Sequence, residues 1–117
     1  MKSGIYVVEL LNEEPIFSCA HDKRDSKKGT PLAKGHIKFG KAKDLDRRQR
    51  NYLKTFGENN FNFQIVHLTP EIHEIERRIM KEVDEYRVRG ILGRKLEWLE
   101  GIDIKNLIKV INKVANQ

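Results

Sequence analysis

Residues 36–52 read "HIKFGKAKDLDRRQRNY". An apolar piece, 35–39, reads as a short strand closed by Gly40. A turn follows. A helix then opens at Asp44 and carries arginine at 47, 48 and 50. Solubility alone does not require a lysine, a glycine turn and an arginine-studded helix in that order. A phosphate held near the turn does. Asp44 supplies an N-cap, Leu45, Tyr52, Leu53 and Phe56 fall on one face at helical spacing, and Gly57 ends the helix.

Upstream, "GIYVVELL" (4–11) is rich in β-branched and aromatic residues and reads as a strand. Residues 12–35 have no periodicity and contain "DKRDSKKGTP", a long basic loop with a short extra strand around "PIFSC". Loops of this length inside a domain are often functional. Downstream, "FNFQIVHL" (61–68) reads as a third strand. Thr69 as N-cap and Pro70 at the first helical position open a helix from Glu71 to Arg89, stopped at Gly90. "GRKLEWLEG" (93–101) is an extended crossing, strand or turn. A last helix, about 103–114, carries Ile104, Leu107, Ile108, Ile111 and Val114 on one stripe. No internal repeat and no domain boundary interrupts the chain, so one domain over residues 1–117 is expected. The order of elements implies an α+β domain with a small, mostly antiparallel sheet and helices against it.

The chain has 117 residues, a net charge of +6 and a pI near 9.5. A basic domain of this size favours nucleic acid or an anionic surface. The excess is concentrated: residues 23–50 hold eleven Lys and Arg against Asp25, Asp44 and Asp46. Lys23, Arg24, Lys27, Lys28, Lys34 and Lys41 are the candidate backbone contacts. No apolar run approaches the roughly 18 residues of a membrane span. The N-terminal stretch lacks a cleavage-site pattern. The single cysteine, Cys19, excludes an internal disulfide and suits a reducing, intracellular setting. Cys19 and His21 have no second pair at zinc-ligand spacing.

Patterns fail where function intrudes. Ile72, Ile75, Ile79, Val83 and Tyr86 form the stripe of the long helix, and Glu76 lies on that stripe. Three readings of such a carboxylate are open: it reaches solvent at the stripe's edge, pairs with a buried arginine, or holds a metal ion. Arg48 flanks the apolar face of its helix, placed either to snorkel or to aim a fork at phosphate. Tyr52 lies one turn on. Lys38 interrupts an otherwise apolar strand.

"GIY" (4–6), "KFG" (38–40), "KAKDLDRRQRNY" (41–52), "EIERR" (74–78) and "GRKLEW" (93–98) follow one another as in the GIY-YIG nuclease superfamily, which the chain resembles over residues 4–99. The branch whose second tripeptide is K-I-G is the nearest. The resemblance implies a three-stranded antiparallel sheet flanked by helices and a DNA endonuclease using a single divalent metal, Mg²⁺ or Mn²⁺. By position it implies Tyr6 as general base or water-positioning group, Lys38 beside it, Arg48 on the phosphate, Tyr52 one turn later, Glu76 on the metal, and Gly4 and Gly40 as structural glycines. The usual C-terminal asparagine has no equivalent; Glu97 and Trp98 occupy its region. A free tyrosine ionises near pH 10, so a Tyr6 base needs about 4 kcal/mol of assistance, and Lys38 has the sign to supply it. DNA, duplex or branched, is the implied partner, with specificity from the basic loop, a homodimer or another subunit. The alternative is a nucleic-acid-binding module that keeps the fold without cutting. A third reading is an interaction protein that uses the basic loop on an acidic partner.

Overall fold

The structure, a computed structural model, describes residues 1–17, 30–90 and 93–117. Among the described residues seven strands and three helices follow in the order β1 (Gly4–Leu10), β2 (Ile16–Phe17), β3 (Pro31–Leu32), β4 (Ile37–Ala42), α1 (Leu45–Phe56), β5 (Phe61–Leu68), α2 (Ile72–Val83), β6 (Arg87–Arg89), β7 (Lys95–Leu99) and α3 (Ile104–Ala115). The main sheet has five antiparallel strands in the order β5-β1-β4-β7-β6, and β2 and β3 form a separate small ladder.

The α+β class is as the sequence predicts, but the sheet has five strands rather than three. The two extra strands come from a segment assigned in part to the long helix. That helix ends at Val83, not Arg89, and a single 3-10 turn (Asp84–Tyr86) leads into β6. From Arg87 the period changes from 3.6 to 2. Val88 is buried between exposed or half-buried arginines, and Leu96 and Trp98 are buried on β7. The Arg87 guanidinium donates to the carbonyls of Leu96 (2.8 Å) and Lys95 (3.2 Å), which fastens the β6–β7 hairpin.

Gly40 does not close a strand; β4 runs through it to Ala42. Its glycine is required by a close approach. Tyr6 is its partner across the ladder, and a Cβ on Gly40 would lie under 3.0 Å from the Tyr6 hydroxyl and ring. Gly4 is similarly confined, by the backbone carbonyl of His67.

Helix α1 is capped by Asp44, which accepts from the Arg47 amide at 3.2 Å, and Gly57 ends it at φ 84°. Leu53, expected on the buried face, is exposed: it lies about 100° around the helix from Tyr52. Thr69 does not cap α2. Its hydroxyl accepts from the Glu71 amide at 3.1 Å in the preceding turn, Pro70 stays outside the helix, and Glu71 is the cap residue without a side-chain bond. Asp103 caps α3 through the Asn106 amide at 2.8 Å. Asp103→Ala is expected to lower stability by about 1 kcal/mol, read as a lower urea midpoint at unchanged slope.

The sheet separates two cores. Ile5, Val7, Ile37 and Phe39 face α2 and α3, packing on Ile75, Ile79, Leu107 and Ile111. Tyr6, Val8, Leu10 and Ala42 face the other way, onto Leu45, Tyr52 and Phe56 of α1. β4 and β7 share one register pair, Ile37 with Leu99. Beyond it side chains join the two strands, Lys38 to Glu97 at 3.0 Å, and the candidate site lies there.

Candidate functional site

Strand alternation places Lys38 and Lys41 of β4 on opposite faces of the sheet. Lys38 lies on the α1 side. Its ammonium sits 5.8 Å from the centre of the Tyr52 ring and 5.7 Å from that of Trp98. Lys38 is 9% exposed, so its charge is held mostly out of water. It is matched by the Glu97 carboxylate at 3.0 Å. Glu97 lies on β7 between the buried Leu96 and Trp98.

Lys41 lies on the α2 side and pairs with Glu76 at 2.9 Å. The pair is half-buried, and this is the answer to the misplaced carboxylate on the α2 stripe. The partner is a strand lysine, not a buried arginine, and the carboxylate remains 25% exposed toward a groove. A groove of about 680 Å³ opens above the pair, lined by Lys41, His73, Glu76, Arg77, Met80, Lys81, Asp84, Arg87 and Glu97. Lys95, and after it Arg87, hold the Asp84 carboxyl below its usual range.

Tyr6 and Tyr52 meet on the α1 side, hydroxyl to hydroxyl at 2.9 Å. Tyr6 also stacks on Phe63 with centroids 4.8 Å apart. Burial pushes the Tyr6 hydroxyl far above the usual tyrosine value, and the neighbouring Tyr52 adds to this. Lys38 acts in the opposite direction and is outweighed. Burial likewise pushes Tyr52 up to about 12. The expectation that Lys38 prepares Tyr6 as a base near neutrality is therefore corrected. Tyr6 is 1% exposed and its hydroxyl is engaged by Tyr52, so a tyrosinate there is strongly disfavoured.

Of the residues singled out from sequence, the fold gathers Tyr6, Tyr52 and Lys38 on one face of the sheet, and Glu76 with Lys41 on the other. Arg48 is exposed on α1, close enough to oppose ionisation shifts in both tyrosines, and its side chain has no partner among the described residues. Lys34 is exposed beside β4. Lys23, Arg24, Lys27 and Lys28, with Cys19 and His21, lie outside the described residues. What links the two faces is Glu97, which touches Lys38 and also lines the Glu76 groove. Sequence reasoning did not give Glu97 that role, nor pair Lys41 with Glu76. The signal available was the alternation of "KLEWL", which puts Glu97 opposite in direction to Leu96 and Trp98.

Among the described residues no group of three or more His, Cys, Asp or Glu is placed to hold a metal ion. The groove instead offers the oxygens of Glu76 and Glu97. A hard cation such as Mg²⁺ is served by one or two carboxylates when substrate phosphate and water complete its shell, and this donor set fits that minimum. Lys41, Arg77, Lys81 and Arg87 line the same groove, with Lys41 paired to Glu76, Arg77 to Glu74 and Arg87 to Asp84. No helix among the described residues is long and apolar enough to cross a membrane.

Neither a curated protein nor a solved structure matches the chain. A family model does: the T5orf172 domain, over residues 5–115. This match overturns the GIY-YIG assignment drawn from the ordered set of motifs between Gly4 and Trp98. Two of them, "GIY" and "KFG", are short, and the fold accounts for their glycines as packing requirements against the His67 carbonyl and the Tyr6 ring. A general nucleic-acid-related role agrees with the family reached. Covering nearly the whole sequence from β1 to the end of α3, the match shows that the chain belongs to the T5orf172 domain family.

Proposed function

We propose that the chain acts, as one domain, on DNA as an endonuclease that hydrolyses phosphodiester bonds with a divalent metal, Mg²⁺ or Mn²⁺, held at Glu76. The observation that carries this reading is the half-buried Glu76 carboxylate on the apolar stripe of α2, opening into a groove that also holds Glu97 and four cationic side chains. A stripe carboxylate is costly to bury, by several kcal/mol if left unmatched. The family and the charge balance support a nucleic-acid partner.

In this reading the metal, when bound, neutralises charge that develops on the phosphate. The chain's own residues do the rest. Glu76 offers the ligand oxygens. Arg48, with no partner among the described residues, presents a planar fork to the phosphate backbone. Lys34 and the lysines of residues 23–28 add sequence-independent attraction. Tyr6 and Tyr52 stay protonated and act as a rigid wall, their hydroxyls sharing one hydrogen bond.

The test is cleavage of supercoiled plasmid in Mg²⁺ or Mn²⁺ by the wild type and by Glu76→Ala. Metal-dependent cutting, reduced about 100-fold or more in the variant, is the expected result. Equal cutting by both removes Glu76 from the site.

A second reading is favoured by one observation. Lys41 already neutralises Glu76, as an ion pair retained for packing alone does. In that case the domain binds nucleic acid without cutting it. No cleavage by either protein, with binding that falls steeply as salt rises, selects this reading.

A further inference from the structure

Lys41 is on an internal strand of the sheet, directly beneath α2, and its ammonium is 2.9 Å from the Glu76 carboxylate. Both side chains are partly exposed to the groove, at 32% and 25%. A divalent cation and an ammonium cannot share one carboxylate at that range without strong repulsion. The ammonium sits on a flexible four-carbon stem with rotatable donors, and it lines the same groove as Arg77, Lys81 and Arg87. It can leave the carboxylate without leaving the groove, provided that another anion is there to receive it.

We infer that Lys41 is a tethered counter-ion: it occupies Glu76 in the free protein and transfers to a nucleic-acid phosphate when a divalent cation takes its place. This rests on the metal role proposed for Glu76. Two arrangements of one side chain then couple metal binding to phosphate binding. Each ligand raises the affinity for the other by the same factor. The free protein holds metal weakly and keeps no exposed, metal-charged carboxylate in the absence of DNA. Lys41 is a positioning residue here, acting through Glu76. Glu97 is matched by Lys38 in the same way, but from the opposite face and against two aromatic rings, where the lysine has much less room to move.

The experiment is Mn²⁺ titration of the full chain followed by electron paramagnetic resonance, with and without a short DNA duplex, subtracting Mn²⁺ bound by the duplex alone. Without DNA, Lys41→Met is expected to bind Mn²⁺ about tenfold more tightly than wild type. Lys41→Arg is expected to restore weak binding, and Lys81→Met, which removes a charge from the same groove, to change affinity less than about threefold. Duplex is expected to tighten Mn²⁺ binding to wild type about tenfold more than to Lys41→Met, in which only the ligand oxygens of the phosphate contribute. Circular dichroism confirms that each variant is folded. Unchanged or weaker Mn²⁺ affinity in folded Lys41→Met, with binding still lost in Glu76→Gln, overturns the inference and leaves the Glu76 reading standing. Equal Mn²⁺ binding by wild type and Glu76→Gln, or none by wild type with or without duplex, overturns that reading and the inference with it.

Discussion

Gly40→Ala is expected to destabilise the chain by about 3 kcal/mol, at the upper end of what overpacking a core usually costs. The added methyl would stand under 3.0 Å from the Tyr6 hydroxyl and ring atoms. The ring has nowhere to go. Phe63 stacks on one side, the Tyr52 hydroxyl holds its tip, and Tyr52 packs edge-on. Relief must come from separating β1 and β4, whose pairing is the centre of the sheet. A lowered urea midpoint measures the loss. The cause is checked by a second change: Tyr6→Leu removes the hydroxyl and ring and should return a large part of the stability lost to Gly40→Ala, so that the two substitutions are strongly non-additive. Gly4→Ala is the contrast. There the obstacle is the His67 carbonyl, part of the backbone, and no side-chain truncation relieves it. Additivity of the Gly40 and Tyr6 changes would show that the clash is absorbed elsewhere.

Alkaline pH is expected to unfold the chain through its tyrosine pair. In the unfolded chain a tyrosine ionises near pH 10. In the folded chain Tyr52 is pushed up to about 12 and Tyr6 beyond the ordinary range, in both cases chiefly by burial. The folded state therefore keeps protons that the unfolded state releases, and rising pH favours unfolding. The stabilisation is fully present below pH 10 and is lost progressively above it. For Tyr52 the loss runs up to about pH 12 and amounts to roughly 3 kcal/mol. Tyr6 adds to it over a wider range. Tyrosinate absorbance and circular dichroism, followed together, test this: two of the three tyrosines should ionise only as the fold is lost. Ionisation of both in a chain with an intact spectrum would contradict it. Tyr52→Phe should widen the alkaline range of the folded state.

The amphipathic elements were legible because each has one buried face and a clear period. Asp44, Gly57 and the α1 face at Leu45, Tyr52 and Phe56 were found by cap and spacing alone. The stripe on α3 was found in the same way, and β1 and β5 by their composition. The limits of α2 were not, because Tyr86 continues its 3.6 period by coincidence while the backbone has already turned toward β6. The β6–β7 hairpin was hidden for that reason, although "RVR" and "KLEWL" both alternate. Gly40 was misread because a glycine required by a neighbouring ring looks, in sequence, like a glycine required by a turn. At the site, Glu76 and Lys38 stood out as charges in apolar places. Their partners did not, since Lys41 and Glu97 are ordinary residues until β4, β7 and α2 are brought together. The family assignment failed for a related reason: two of the motifs that carried it, those with Gly4 and Gly40, record how glycines pack against the His67 carbonyl and the Tyr6 ring.

The single register pair between β4 and β7 makes the sheet a seam rather than a continuous fabric. On one side lie β5, β1 and β4, laddered along their lengths. On the other lies the β6–β7 hairpin, attached at one end and held elsewhere by the side chains of Leu96, Trp98 and Leu99 and by the Lys38–Glu97 ion pair. Cooperative units of this kind open with separate free energies. The hairpin can part from the meander while the meander keeps its hydrogen bonds. In amide exchange the two halves then form distinct protection classes, with the hairpin exchanging first. Glu97 travels with the weaker half and Glu76 with α2, so each opening of the seam takes apart the paired-carboxylate groove while the fold persists.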